Sequence, residues 1–166
     1  IVDEIFEKDI RRRVKIKNRE LFNDVTRYMI NNFAATTNIR SLHTILVKSG
    51  FVISEATVDK YVNTLVDAKI LYECNRFDMK SKRSNRGDRK YYLSDLSFYF
   101  SMNTDNQLNY GPSLENIVYI YSKSKGYSVS IGRIGKLECD FILRDSELNY
   151  SYVQVSYTIA LSKETE

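Results

Sequence analysis

A change in the period of the hydrophobic residues near residue 70 determines which class of fold this chain can adopt. Before that point, apolar residues recur at three- and four-residue spacings, which is typical of amphipathic helices. After it, short runs rich in β-formers alternate with turn residues, and one further helical stretch interrupts them. The sequence therefore predicts an α+β fold: an N-terminal helical module followed by a small α/β domain with a mixed sheet.

Four helical segments are predicted before the change of period. They cover about residues 1–17, 19–33, 39–48 and 54–68. Gly50 suits the end of the third, and Ser54 suits the N-cap of the fourth with Thr57 three positions later. The exposed face of the fourth helix is predicted to carry Glu55, Thr57, Asp59, Lys60, Asn63 and Thr64.

A β-hairpin is predicted to follow the helices, over about residues 70–94. Residues 70–77 and 90–93 form its strands, and a polar, basic loop at 78–89 joins them. Helix, helix, helix and hairpin is the order of a winged helix, with the hairpin as the wing. We therefore place a helical, winged-helix domain at residues 1–95.

The second half, residues 96–166, is predicted to form the small α/β domain. Pro112 suits the first turn of a helix at about 113–124. Strands are expected at 127–131, 136–143 and 150–157. The buried side of the helix is predicted to contain Leu114, Ile117, Val118, Ile120 and Tyr121.

The charges narrow the range of partners more than the rest of the composition does. The net charge of +4 is mild, but the cations are grouped. One cluster contains Arg11, Arg12, Arg13, Lys15, Lys17 and Arg19, and the other contains Lys80, Lys82, Arg83, Arg86, Arg89 and Lys90. Each cluster suits contact with phosphates, and each equally suits a solvated charged face.

Several protein classes are disfavoured. The two distant cysteines and the one histidine, His43, lack the spacing of a zinc site. The two thiols suit a reducing, cytoplasmic compartment. No run of about 20 apolar residues suggests a membrane span, and no signal peptide is visible at the start.

Two ordered stretches carry a resemblance to a known family. The first comprises Ser-x-x-Thr-Val-x-x-Tyr-Val-x-x-Leu at 54–65 and the basic hairpin residues up to Asp95. The second comprises Gly-Pro-Ser-Leu-Glu-Asn-Ile-Val-Tyr at 111–119, Glu-Cys-Asp-Phe at 138–141 and Tyr-Val-Gln-Val-Ser-Tyr at 152–157. Together they resemble the C-terminal region of a widespread prokaryotic group of predicted AAA-type ATPases. That region is catalogued as a domain of unknown function, and the resemblance covers about residues 15–160.

The resemblance implies a longer protein. In that family the ATPase core lies N-terminal to this region, so ATP and Mg²⁺ are expected to bind there. The phosphate-binding pattern Gly-x-x-x-x-Gly-Lys-Ser/Thr does not occur in this sequence. Since the sequence begins without Met, we expect a fragment whose partners include its own N-terminal ATPase domain. The family region is also expected to continue past the third strand.

The second half also resembles the restriction-endonuclease-like fold, in which acidic residues bind Mg²⁺ and a lysine orients water. Glu115, Asp140 and Gln154 fall at the matching places. The lysine expected two residues after Gln154 is replaced by Ser156. The resemblance therefore implies a vestigial nuclease site. This site is expected to bind Mg²⁺, and no catalytic residue is assigned in it.

Three interpretations follow from these patterns. The leading one is an accessory region that binds DNA or a protein without catalysis of its own. Its DNA contacts would be non-specific, through phosphates, at Lys60, Lys80, Lys82, Arg83, Arg86 and Arg89. The alternatives are a Mg²⁺-dependent nuclease and a structural module that forms a homo-oligomer.

Overall fold

The computed structural model of the chain describes residues 16–78, 83–103, 110–134 and 137–157. Within these ranges the fold is α+β, with five helices and a six-stranded mixed sheet, which confirms the predicted class. The first predicted helix lies almost wholly outside the described residues. None of the helices in these ranges is long and apolar enough to cross a membrane.

Three helices come first, as the hydrophobic pattern predicts. They are α1 (Arg19–Asn31), α2 (Ile39–Lys48) and α3 (Glu55–Asp67). Each begins after a polar residue whose side chain accepts hydrogen bonds from the first turn: Asn18, Asn38 and Ser54. These caps satisfy N–H groups that have no partner within the helix, so they define where each helix starts.

A single sheet follows. Its strands are β1 (Thr36–Thr37), β2 (Leu71–Asp78), β3 (Arg83–Leu93), β4 (Ser128–Ile134), β5 (Leu137–Arg144) and β6 (Tyr150–Val153). Their order is β1-β3-β2-β4-β5-β6. All neighbours are antiparallel except β2 and β4, which run parallel. The sheet is thus continuous across the predicted domain boundary at residue 95, and the boundary itself stays a prediction.

The predicted hairpin is confirmed, but its second strand is longer than expected. It begins at Arg83 rather than residue 90, because residues 83–85 pair with residues 76–78 of β2. These residues are polar, so side-chain periodicity does not reveal a strand that backbone pairing extends. The opposite edge of β2 pairs with β4 over the same residues, which places this part of β2 inside the sheet.

Both faces of the sheet are covered. Tyr91 and Tyr92 are neighbours on β3 and therefore point to opposite faces, yet both are buried. Tyr92 stacks on Tyr119 with ring centroids 4.1 Å apart. Tyr119 belongs to helix α5 (Tyr110–Ser124), which packs against β3, β4 and β5. The buried residues of the helices and the sheet form one hydrophobic cluster.

Helix α5 buries a different face from the one its hydrophobic residues predict. Its buried residues are Ser113, Asn116, Tyr119 and Ser122. By contrast, Ile117 and Tyr121 are 53% and 62% exposed, so their predicted burial is wrong. The small and amide side chains face the sheet because they allow close approach and hydrogen bonding there.

The aromatic segment after residue 95 forms a short helix, α4 (Ser97–Met102), whose Phe98 is buried. Two further expectations are corrected. The last strand ends at Val153 rather than at residue 157. On α3, Thr64 is only 4% exposed, because its hydroxyl donates to the carbonyl of Lys60 and it packs inward.

Candidate functional site

Two of the three predicted metal ligands meet at the end of the sheet. Asp140 lies in the middle of β5, and Gln154 follows β6 directly. The Oδ2 atom of Asp140 accepts hydrogen bonds from Nε2 of Gln154 and from the backbone N–H of Val155, both at 2.7 Å. Because Gln154 donates to the carboxylate, its nitrogen rather than its oxygen faces Asp140. The pair therefore acts as a hydrogen-bonded clamp between β5 and the chain after β6.

The third predicted ligand, Glu115, is held by β3. Its Oε1 atom accepts from the ammonium of Lys90 at 2.7 Å and from the hydroxyl of Tyr92 at 2.6 Å. The side chains of Lys90 and Glu115 are only 18% and 14% exposed. Burial, and then the adjacent negative charge of Glu115, raise the pKa of Tyr92 strongly, so the phenol stays a hydrogen-bond donor.

Lys90 was grouped with the wing cations by its position in the sequence, and its role in this network was missed. The alternation of side chains along a strand places residues 90 and 92 on the same face. That periodicity is the signal that links Lys90 to Tyr92, but the position of α5 over them is not readable from the sequence.

A small cavity of about 90 Å³ lies beside Asp140 and Lys90. It is lined by Thr36, Arg76, Lys90, Ile131, Gly132, Cys139 and Asp140. A Cβ atom at Gly132 would collide with the side chain of Ile142, so a larger residue at this point of β4 would force Ile142 to shift. The cavity thus joins Asp140 to Lys90, the partner of Glu115.

The described residues do not suit Mg²⁺ at the predicted vestigial site. Hard cations bind several oxygen ligands, but Gln154 turns its nitrogen toward Asp140, and Glu115 is already matched by a lysine. Among the described residues, no group of three or more His, Cys, Asp or Glu could hold a metal ion. Residue 156, where the nuclease motif has a lysine, is a serine.

The predicted phosphate-binding residues have different settings. Lys60 is exposed on α3. Arg89 donates to Glu73 at 3.0 Å, and both side chains are about one-quarter exposed, so this arginine is already paired. Arg83 and Arg86 belong to β3, whereas Lys80 and Lys82 lie outside the described residues.

A second, larger cleft of about 420 Å³ was not predicted from the sequence. It lies where the N-termini of α2 and α3 approach β3, and Arg40, Glu55, Asp59 and Arg89 contribute its charges. Arg40 lies 3.9 Å from Glu55, and their side chains are 84% and 50% exposed. Such an exposed pair contributes little stability, and the described residues of the cleft have no excess of either charge.

The two cysteines differ in reactivity, and this difference is testable. Cys74 is buried, and burial raises its thiol pKa to about 12, so roughly one molecule in ten thousand carries the thiolate near pH 8. Cys139 lines the small cavity and is only partly buried, although burial and then the charge of Asp140 raise its pKa. We expect an aromatic disulfide reagent to titrate one slow thiol in the folded chain and two in urea.

The matched control for the thiol titration is Cys139→Ser. This variant should show no reactive thiol when folded and one when unfolded. Rapid reaction of two thiols in the folded wild-type chain would contradict the burial of Cys74.

The fold and site define an α+β chain of three capped helices, a long hairpin and a sheet-end clamp. A family model described as "Domain of unknown function (DUF8612)" matches residues 1–109, and the chain belongs to that family. A Haemophilus influenzae protein described as "Uncharacterized protein" is 29% identical over 159 residues, covering 96% of this chain and 40% of its own length.

A second relative is an uncharacterized protein of Methanocaldococcus jannaschii. It is 26% identical over 162 residues, covering 95% of this chain and 35% of its own length. This chain therefore spans well under half the length of these two relatives. No solved structure matches it.

Proposed function

We propose that this chain is a non-catalytic accessory region of a AAA-type ATPase that binds DNA through its phosphates. The observation that carries the non-catalytic part is the use of both carboxylates as hydrogen-bond acceptors. Asp140 accepts from Gln154 and Val155, and Glu115 accepts from Lys90 and Tyr92. Carboxylates held in this way stabilise a fold, and the donors around them would have to move to admit a metal ion.

The order of α1, α2, α3 and the β2–β3 hairpin supports the DNA-binding part, since it is the order of a winged helix. Parallel pairing with β4 holds β2 within the sheet, so the proposed wing is braced. Among the described residues, β1 pairs with β3 only at Arg89 and Lys90. The stretch of β3 that carries Arg83 and Arg86 extends beyond that pairing.

Base-specific readout is not part of the proposal. Glu55 is exposed and Asp59 partly buried on α3, where both negative charges would face the DNA backbone. Lys60 is the one exposed cation of that helix among its described residues. Contact through phosphates alone fixes position on a duplex without reading its sequence.

The ATPase part of the proposal rests on length and on the family resemblance. The two relatives are more than twice as long as the region they share with this chain, which leaves room for an ATP- and Mg²⁺-binding domain. That domain would be the natural intramolecular partner of this region. A reducing, cytoplasmic location belongs to the same proposal, because Cys74 and Cys139 are both free thiols.

The test is DNA binding by fluorescence anisotropy at about 50 to 200 mM salt. The hairpin variant replaces Lys80, Lys82, Arg83 and Arg86 with glutamine. We expect it to bind a duplex roughly 100-fold more weakly than the wild type at about 100 mM salt, with a shallower dependence of affinity on salt. The matched control replaces four exposed cations elsewhere, namely Arg27, Lys48, Lys123 and Lys125.

Three outcomes would contradict the proposal. Equal weakening by the control variant would show general charge attraction rather than a hairpin surface. Cleavage of plasmid DNA with Mg²⁺ or Mn²⁺, abolished by Asp140→Ala, would identify the chain as a nuclease. Absence of DNA binding even at low salt, together with a stable oligomer, would favour the structural module.

A further inference from the structure

Arg76 lines the 90 Å³ cavity and differs from the other charged residues around it. It is partly buried on β2, and among the residues that the structure describes it forms no hydrogen bond or ion pair. Lys90 is paired with Glu115, and Arg89 is paired with Glu73. A guanidinium presents five N–H donors, and leaving them unmatched away from water is costly. Arg76 therefore has its donors available for a ligand.

The other cavity residues add donors, and Asp140 adds an opposing charge. The ammonium of Lys90 has three N–H groups, and one of them reaches Glu115. Among the residues whose side chains the structure describes, Asp140 is the one carboxylate that lines the cavity, and its Oδ2 atom is already occupied by two donors. Thr36 is exposed and lines the same cavity, so solvent can reach it.

The volume limits what could bind. A cavity of about 90 Å³ corresponds to roughly three water molecules at about 30 Å³ each. One tetrahedral oxyanion has the size that this space suits. An arginine fork offers the planar, bidentate geometry that phosphate oxygens accept, and a lysine adds a point charge.

We propose that this cavity binds one phosphate group, with Arg76 as the bidentate donor and Lys90 as the second cation. The ligand is a phosphate group with three unesterified oxygens or more, either free inorganic phosphate or the 5′-phosphate at the end of a DNA strand. This inference adds a phosphate site to the proposed function. It rests on that function only where the phosphate belongs to a DNA end. Asp140 opposes the anion, so this residue keeps the affinity modest.

The test is calorimetric titration with inorganic phosphate in a chloride buffer of constant ionic strength. We expect saturable binding by the wild type and at least about tenfold weaker binding by Arg76→Gln, because a charged, bidentate hydrogen bond is lost. Arg76→Lys keeps the charge without the fork and should fall between the two. Arg40→Gln, an exposed arginine in the larger cleft, is the control and should bind like the wild type.

Asp140→Asn separates this site from a metal site. The variant keeps the shape and removes the opposing charge, so phosphate should bind several-fold more tightly. A metal site would instead lose its ligand, and phosphate affinity would not rise. Circular dichroism and the thermal midpoint establish that each variant is folded. If Arg76→Gln does not fold, Arg76→Lys and Asp140→Asn still test the proposal.

The proposal is overturned if the wild type shows no saturable binding at millimolar phosphate, if Arg76→Gln binds equally well, or if Asp140→Asn binds less tightly. Duplexes with a 5′-phosphate or a 5′-hydroxyl end distinguish the source. A preference for the phosphorylated end that disappears in Arg76→Gln supports the DNA end, and equal binding of both ends supports free phosphate. If the chain binds phosphate but the hairpin variant leaves the DNA affinity unchanged, the proposed function is wrong and the phosphate site is still supported.

Discussion

Replacing Asn116 with alanine is expected to lower the free energy of unfolding by about 3 to 5 kcal/mol. Asn116 is only 2% exposed, and its amide makes two hydrogen bonds to the backbone of Leu93, which is fully buried. Its Oδ1 accepts from the Leu93 N–H at 2.7 Å, and its Nδ2 donates to the Leu93 carbonyl at 3.0 Å. Truncation leaves two buried polar groups without partners at about 1 to 3 kcal/mol each, and it also opens a cavity.

Urea unfolding monitored by circular dichroism measures this loss. Ile117→Ala is the matched control, because Ile117 is the next residue of α5 and is 53% exposed. Its effect should stay within about 0.5 kcal/mol. Asn116→Asp keeps the acceptor but sets a charge against the Leu93 carbonyl, so it should also destabilise. A loss of less than about 1 kcal/mol for Asn116→Ala would mean that another group replaces the amide.

The same residue explains why the orientation of α5 could not be predicted from the sequence. Hydrophobicity alone favours burying Ile117 and Tyr121, both of which are exposed. Asn116 faces the sheet because it pairs with both polar groups of one β3 residue, where β1 does not extend. Such a pairing depends on tertiary contacts between residues 23 positions apart, and local periodicity does not contain them.

Where local interactions dominate, prediction succeeded. The bounds of α2 agree with the predicted 39–48, because Asn38 caps its start and Gly50, with φ of +96°, follows its end. Ser54 caps α3 as expected. These signals act over three or four residues, so the sequence carries them directly.

The candidate site was predictable only in part. The motif spacing assigns Asp140 and Gln154 to one predicted site, and the adjacent strands β5 and β6 bring them within hydrogen-bond distance. The spacing does not reveal that Gln154 donates a hydrogen bond to Asp140. Lys90 and Arg76 were even less accessible, because their shared cavity depends on the pairing of β2 with both β3 and β4.

Lys90→Met is expected to lower the free energy of unfolding by about 2 to 3 kcal/mol. Breaking a buried ion pair costs about 3 to 5 kcal/mol, and the partial exposure of both side chains reduces that cost. In this variant the Glu115 carboxylate loses the ammonium group and, among the described residues, keeps the hydroxyl of Tyr92 as its donor. Glu115→Gln should cost less, since its amide oxygen still accepts from Lys90 and Tyr92.

A double-mutant cycle on Lys90→Met and Glu115→Gln isolates the ionic part of the pair, because the amide of glutamine keeps the hydrogen-bond acceptor and removes the charge. We expect a coupling energy of about 1 to 2 kcal/mol by urea unfolding. The cycle on Arg89→Met and Glu73→Gln is the control, and its coupling should be smaller because those side chains are more exposed. Coupling near zero at Lys90 would contradict a structural ion pair.

The stability of Lys90→Met also bears on the role of Lys90 in the cavity. If Lys90→Met weakens phosphate binding but leaves stability unchanged, Lys90 serves the ligand, and Glu115 holds the lysine in place for it. If it lowers stability and phosphate affinity together, one lysine links the core of the sheet to the cavity. Because Glu115 takes one of the three ammonium N–H groups, the second result is the one that this geometry predicts.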